Sequence, residues 1–434
     1  MILEFSITNT FSISEKQTIS FEAVTNDTET DARHYVECGD KKILKLACIY
    51  GANAAGKTKM LKALHFYMDF MLRSFTKLEP NENIRVIPFK FNPDFQNNPS
   101  EFELILYLKE IEDRHYIRYD YNLQLTKEKV VYESLFYAPK GQKKLIFERS
   151  KDNKIKWGSD VTGAKKIIED MARPNCSIIS VGAQTQHPVL KFFYDNVYHS
   201  FKGMIHPLSS DDLSSYIFRK VEKDASFKKI LTNLLSASDI GVINDIRVIA
   251  EDIPETVIRQ FPVEVQEQIV KHKGKLRTLI LNYSYNDNNY SLPFSLESAG
   301  TKKLMQLSLP LYDLIVSKSI VLIDELEASL HQELIELFLE LFLEASDNSQ
   351  LLFTTHNQDL LDSGLLRDDE VWFCYKTRNG NSVYNSITDY KGIRKQVSRK
   401  KLYNADKFGA LPNININLLQ ELFDAEKNRK NTEQ

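Results

Sequence analysis

The sequence predicts an α/β protein: a parallel sheet around a glycine-rich loop, an antiparallel β-subdomain, and a compact helical insertion without a long coiled coil. Three observations predict it. An apolar run, Ile43–Tyr50, leads into Gly51-Ala-Asn-Ala-Ala-Gly-Lys-Thr58 and then into a helical pattern of Met60, Leu61, Ala63, Leu64, Phe66 and Tyr67. A second apolar run, Ser319–Ile323, ends in the adjacent carboxylates Asp324 and Glu325. Between them, residues 101–157 alternate in short segments bounded by turns.

The glycine-rich loop fits G-x-x-x-x-G-K-[ST] at every fixed position, in the strand–loop–helix setting that the motif needs. Backbone N–H groups converge there at a helix start, and the helix dipole favours an anion. Gly51, Ala52, Asn53, Ala54, Ala55, Gly56, Lys57, Thr58 and Lys59 are therefore the candidate nucleotide-binding residues. Lys57 is expected to reach the β- and γ-phosphates, and the Thr58 hydroxyl to hold Mg²⁺. Asp324 would complete the metal shell, and Glu325 would polarise the attacking water. The apolar run Gln350–Thr355 ends in His356, placed to sense the γ-phosphate. The segment Ser295–Lys303 offers small residues ahead of an apolar helix, Leu304–Ile315, again a start with free N–H groups.

The order of phosphate loop, small-residue helix start, Asp-Glu strand and strand-end His resembles the ABC-type ATPase head shared by SMC, RecF and OLD-like proteins. The resemblance implies ATP and Mg²⁺ as cofactors. It also implies a homodimer or higher homo-oligomer in which Ser298, Ala299, Gly300 and Thr301 of one protomer meet the nucleotide of another. Against the family pattern L-S-G-G-Q the chain reads Glu297-Ser298-Ala299-Gly300-Thr301, with Thr at the Gln position. The loop that crosses the family dimer corresponds to Ala328-Ser329-Leu330-His331. The Gln that couples the lobes in relatives is not assigned; Gln96 and Gln184 are candidates.

Three parts are expected: residues 1–157, with strands at Ile2–Ile7 and Thr18–Phe21, a polar loop over Asn26–Asp40 and the meander; residues 158–274, the insertion; and residues 275–434, the second half of the head. The meander strands are read at Phe102–Leu108, Tyr116–Leu123, Val130–Tyr137, Lys144–Phe147 and Lys154–Trp157. Helical periodicity takes over at 163–238, and a strand returns at Lys275–Tyr285. Pro174, Pro188, Pro207, Pro254 and Pro262 interrupt the insertion, and no heptad pattern is sustained, which excludes a cohesin-like rod.

Composition narrows the class. A formal charge of −3 supplies no global field for nucleic acid. Four scattered cysteines form no C-x-x-C pair, which suits a reducing, cytoplasmic setting. No apolar run approaches the ~20 residues of a membrane span. Asp368-Asp369-Glu370 reads as a solvated cluster in a turn, and the stretch after His356 is too short for the TOPRIM nuclease domain of OLD-like enzymes. The string Asp362–Phe373, Lys376, Ser382-Val-Tyr384, Asp389-Tyr390, Arg394, Tyr403 and Phe408–Pro412 resembles stand-alone ATPases of phage-defence and abortive-infection operons, the RloA/AbiL type, and more distantly the PARIS and Septu ATPase components. That implies an ATPase acting as a switch on a separate effector protein encoded nearby. Lys391, Arg394, Lys395, Arg399, Lys400 and Lys401 form one basic stretch, read as either a solvated helical face or a weak DNA contact. A repair ATPase of RecF or SMC kind and an ATP-locked scaffold are the alternative readings; Glu325 opposes the latter.

Overall fold

The computed structural model describes residues 1–24, 31–109, 115–201, 210–237, 243–252, 266, 275–286, 288–393, 397–412, 416 and 420–423. Its centre is a five-stranded sheet in the order β14 (Ile320–Ile323), β15 (Gln350–Thr354), β5 (Leu46–Gly51), β16 (Val371–Lys376), β17 (Ser382–Ser386). The first four strands run parallel and β17 pairs antiparallel at the edge. Parallel strands buried on both faces read as continuous apolar runs, and the two faces separate cleanly here. Ala47, Ile49, Ile320, Leu322, Leu352, Trp372 and Cys374 point into one core. Leu46, Cys48, Tyr50, Val321, Ile323, Leu351, Phe353, Val371 and Phe373 point into the other. Each large side chain so buried contributes about 1.5–3 kcal/mol.

The first core is closed by α1 (Lys57–Lys77) and by a seven-stranded antiparallel sheet, in the order β10 (Ile155–Trp157), β9 (Lys144–Arg149), β8 (Val130–Ala138), β7 (Tyr116–Leu125), β6 (Ser100–Lys109), β1 (Ile2–Thr8), β2 (Gln17–Ser20). The second is closed by α7 (Ala299–Ile315) and α8 (Gln332–Ala345). Helices of the insertion divide between them. Those at Lys165–Met171 (α2), Ile178–Gln184 (α3) and Pro188–Phe201 (α4) place Ile168, Ile178, Leu190, Phe193 and Val197 in the first core. Those at Ser210–Lys223 (α5) and Ala225–Ala237 (α6) place Ile217, Val221, Phe227, Leu231 and Leu235 in the second. The segment from 158 to 274 also holds a strand, β11 (Ile243–Asp252), which pairs with β12 (Lys275–Tyr285) and through it with β13 (Asn288–Pro293).

Three readings of the sequence need correction. The polar loop expected at 26–40 holds a strand, β3 (Tyr35–Cys38), in a hairpin with β4 (Lys41–Leu44). The single strand expected at Ile43–Tyr50 is broken at Lys45, whose ammonium is buried on the carbonyls of Leu343 (2.8 Å) and Ser346 (2.7 Å) at the C-terminal end of α8. Cations are favoured at that end of a helix. The Asp368–Glu370 turn is not a solvated cluster. Asp369 and Glu370 are buried: Asp369 accepts from the Arg367 guanidinium and from Val24 N–H, while Glu370 binds His34 Nδ1 at 2.8 Å and Arg367 N–H. Fixed donors replace water around these carboxylates and lash the β3–β4 hairpin to the base of β16.

A second buried polar joint fastens the insertion to the meander. Arg149 Nη2 donates to Glu133 Oε2 at 2.6 Å, and both side chains are fully buried. Tyr121 Oη and Ile178 N–H donate to the other Glu133 oxygen, and Arg149 also donates to Cys176 O. Burial pushes the Glu133 carboxyl up, against the pull of Arg149. Removing one partner leaves an uncompensated buried group, so Glu133→Gln or Arg149→Met alone should cost about 3–5 kcal/mol in denaturant unfolding. The paired replacement Glu133→Leu with Arg149→Met should cost less than the sum of the singles.

Candidate functional site

The site forms where the C-terminal ends of β5, β14 and β15 meet. Parallel register sets Ile323 beside Phe353 and Thr354 beside Ile49, so the residues after each strand emerge together. The loop after β5 needs its glycines. Gly51 has φ +151°, and a Cβ there would sit 2.2 Å from the Cys374 carbonyl of β16. Gly56, at φ +127°, immediately precedes α1. Ala54 is also left-handed, with φ 61°.

Lys57 is buried, and its ammonium donates to Gly51 O (2.9 Å), Ala52 O (3.2 Å) and His356 Nε2 (2.9 Å), which uses all three of its protons. Burial pushes the Lys57 ammonium down. Burial first, and then the adjacent Lys57 charge, push His356 down from the usual imidazole range, so a neutral ring accepts the bond. Thr58 Oγ1 donates to Asp324 Oδ1 at 3.1 Å, and Thr354 Oγ1 donates to the same oxygen at 2.6 Å. Glu325 is exposed and left-handed, with φ 51°, and its N–H is held by Thr354 Oγ1 at 2.9 Å. Strain of this kind, of order 1–3 kcal/mol, persists only where the surroundings enforce it.

The structure therefore brings Lys57, Thr58, Asp324, Glu325 and His356 together. Lys59 lies over the Phe11 ring, 5.4 Å from its centroid. Ser298 caps α7, accepting from Thr301 N–H at 3.0 Å. The expected start of that helix at Leu304 moves back to Ala299. Gly300 faces the Ser329 carbonyl of the turn that follows Glu325, and no hydrogen bond among the described residues joins Ser298–Thr301 to the phosphate loop. Neither glutamine candidate reaches the site. Gln96 donates to Lys90 O, and Gln184 closes a helix docked on the far end of α1 through Ser180 and Ser74. In the basic stretch, Arg399 pairs with Asp368 and Lys400 with Asp359, while Arg394 and Lys395 lie outside the described residues. Part of the stretch is therefore neutralised within the fold.

Sequence reasoning missed several neighbours. Glu327 accepts the His356 N–H, and its second carboxylate oxygen is buried with no hydrogen-bond partner among the described residues. Lys303, one turn into α7, is half-buried; burial pushes its ammonium down against the pull of Glu327, Glu325 and Asp324. Ser382 and Tyr384 of β17 hydrogen-bond the carbonyls of Ala55 and Gly56. The acidic spacing Asp324-Glu325-x-Glu327 is a visible signal for the first; Lys303 and Ser382-Val-Tyr384 stand in segments already singled out, but nothing local places them beside the phosphate loop.

A phosphate loop on a two-faced parallel sheet, a separate antiparallel sheet and a capped helix leading to the Asp-Glu strand define an ABC-type ATPase head. The chain belongs to the family described as "AAA domain, putative AbiEii toxin, Type IV TA system", whose model matches residues 46–362. No curated protein matches it. Among solved structures it is similar to an SMC head domain from Thermotoga maritima, at 14% identity over 89% of this chain and 98% of that one, with a TM-score of 0.41. It is also similar to an Smc head bound to the C-winged helix domain of ScpA, at 14% identity over 93% and 99%, with a TM-score of 0.39. A third is an Smc head with an extended coiled coil, bound to the C-terminal domain of ScpA derived from Pyrococcus furiosus, at 10% identity over 94% and 98%, with a TM-score of 0.36. No described helix is long and apolar enough to cross a membrane.

The Gly51 contact yields a direct test. In Gly51→Ala the new methyl meets a main-chain carbonyl that cannot rotate away, at a backbone angle alanine disfavours. Chemical denaturation should show a loss of at least about 2 kcal/mol, and a stability equal to wild type would refute the close approach of β5 and β16.

Proposed function

We propose that the protein binds ATP with Mg²⁺, hydrolyses it to ADP and phosphate, and uses the cycle as a switch on a separate effector in an anti-phage, abortive-infection system. The observation that carries the nucleotide reading is the convergence of Lys57, Thr58, Asp324 and His356 through direct hydrogen bonds, although they come from segments distant in sequence. The donor set fits the cofactor. Thr58 and Asp324 offer two oxygens to a hard cation, which takes its remaining ligands from phosphate and water. Gly51–Lys59 would hold the phosphates. Bound ATP supplies the phosphoanhydride whose hydrolysis drives the switch.

The chain's own groups divide the work. Lys57 already lies among carbonyls and a neutral imidazole, and gives up one of these bonds to reach a phosphate. His356 then has a free Nε2 facing the same space. Glu325 stands at the strand end, exposed and held by its N–H, where it can orient a water. Ser298–Thr301, which make no hydrogen bond to their own phosphate loop, would face that of a second protomer, so that two chains share two sites. The effector reading rests on the phage-defence resemblance; the family description, for its part, names a putative toxin of a Type IV TA system. Segments 362–412 and 163–272 are the candidate docking surfaces. A direct role on DNA is less favoured, because Arg399 and Lys400 are paired within the fold.

Three experiments test this reading. Glu325→Gln should retain ATP affinity and lose turnover by at least about a hundredfold, whereas Lys57→Ala should lose binding itself; wild-type turnover in Glu325→Gln would remove Glu325 from its role. Mixing Lys57→Ala with Ser298→Arg protein should restore part of the ATPase activity, and no recovery in a confirmed dimer would exclude a shared site. In plaque assays, protection should require Lys57, Glu325 and the neighbouring gene together. Full protection by this gene alone would defeat the two-component scheme.

A further inference from the structure

The phosphate loop rests on a strand that lies outside the nucleotide motifs. Ser382 and Tyr384 are alternate residues of β17, so their side chains leave the same face of the sheet. Both end on main-chain carbonyls of the loop: Ser382 Oγ donates to Ala55 O, and Tyr384 Oη donates to Gly56 O at 2.7 Å. All of these groups are buried or close-packed. A Cβ on Gly56 would fall 2.2 Å from Ser382 Oγ, so the hydroxyl lies directly beneath the glycine.

Peptide geometry turns these contacts into a statement about the opposite face of the loop. The peptide unit is planar and trans, so its C=O and N–H point in opposite directions. The Ala55 carbonyl belongs to the peptide whose N–H is that of Gly56, and the Gly56 carbonyl to the peptide whose N–H is that of Lys57. Drawing each carbonyl toward β17 turns the paired N–H away from it. These N–H groups stand at the start of α1, where no intrahelical acceptor exists for them. They are the donors that a helix start presents to an anion.

Proton bookkeeping fixes the direction of the chain of bonds. The Ser382 hydroxyl has one hydrogen, and the Ala55 carbonyl has none to give, so Ser382 donates there. The 2.8 Å contact between Ser12 Oγ and Ser382 Oγ must then have Ser12 as donor. Ser382 N–H donates in turn to Ser12 O at 2.7 Å, and Tyr384 N–H donates to Gln17 Oε1 at 2.9 Å. The β1–β2 connection and the start of β2 thus hold β17, and β17 holds the loop. Burial keeps the Tyr384 phenol protonated far above neutral pH, so its donor role is permanent.

We propose that Ser382 and Tyr384 are positioning residues that preset the Gly56 and Lys57 N–H groups for a phosphate. The proposal rests on the nucleotide reading above. It is tested with the full chain carrying Tyr384→Phe, Ser382→Ala or both, by calorimetric titration with Mg–ATP, steady-state ATPase assay, and thermal melting without nucleotide. Each hydroxyl deletion should raise the Kd and KM for ATP about tenfold, the effect of one charged-group hydrogen bond. Turnover at saturation should stay within about twofold, since Asp324 and Glu325 are untouched. A purely structural tether predicts the reverse: a lowered melting temperature with KM unchanged. That pattern, or wild-type affinity in the double variant, overturns the proposal. Tyr384→Phe, which removes a single oxygen, decides the matter alone should the Ser382 variant not fold. Wild-type affinity in Lys57→Ala would instead overturn the nucleotide reading, and this proposal with it.

Discussion

The parallel pairing of β5 with β15 is the constraint on which the site depends. Leu46 lies opposite Leu351 and Ile49 opposite Thr354, while β14 is set against β15 with Ile323 beside Phe353. A register slip of one residue would send every side chain to the other face. Both faces are buried, so such a slip would invert two cores at once. The same register delivers Thr354 to Asp324 and His356 to Lys57. The chemistry at the strand ends is therefore set by apolar packing several residues away.

Around that sheet the polar joints have a common form. Several charged groups are buried where fixed donors or acceptors replace water, as with Glu133 and Arg149, Glu370 and His34, and Lys45 on the end of α8. Each joint ties one layer to another. Glu133 links the meander to α3, Glu370 links the β3–β4 hairpin to β16, and Lys45 links the phosphate-loop strand to the helix that follows the Asp-Glu strand. Packing area holds the layers together, and these directional bonds select one arrangement of them.

Much of the fold and the centre of the site were legible in the sequence because their signals are local. The phosphate loop, the Asp-Glu strand end and the meander each carry their pattern within about ten residues. What escaped reading depends on partners far along the chain. Asp368-Asp369-Glu370 looks solvated by composition, and only the fold supplies His34 and Val24 to it. Lys45 looks like a strand residue until the carbonyls of Leu343 and Ser346 arrive. Ser382 and Tyr384 sit in an ordinary edge-strand pattern, and nothing in it announces the loop above them. Helical periodicity in the insertion was readable, but not the division of its helices between two cores.

The strand order has a consequence for how the chain is made. The antiparallel meander from β6 to β10 pairs neighbours in sequence order, and α1 can cover it as soon as residue 157 has emerged. Strand β5 has no such neighbour. Its partners are β15 and β16, whose residues are synthesised some three hundred positions later. Closing a loop of that length before any contact rewards it is the slow step in building a sheet. The central strand, with its glycine-rich loop, must therefore wait against α1 and the meander while the rest of the chain is completed. The phosphate cradle is among the first segments translated and among the last to take shape, so a truncated chain carries the motif without the site.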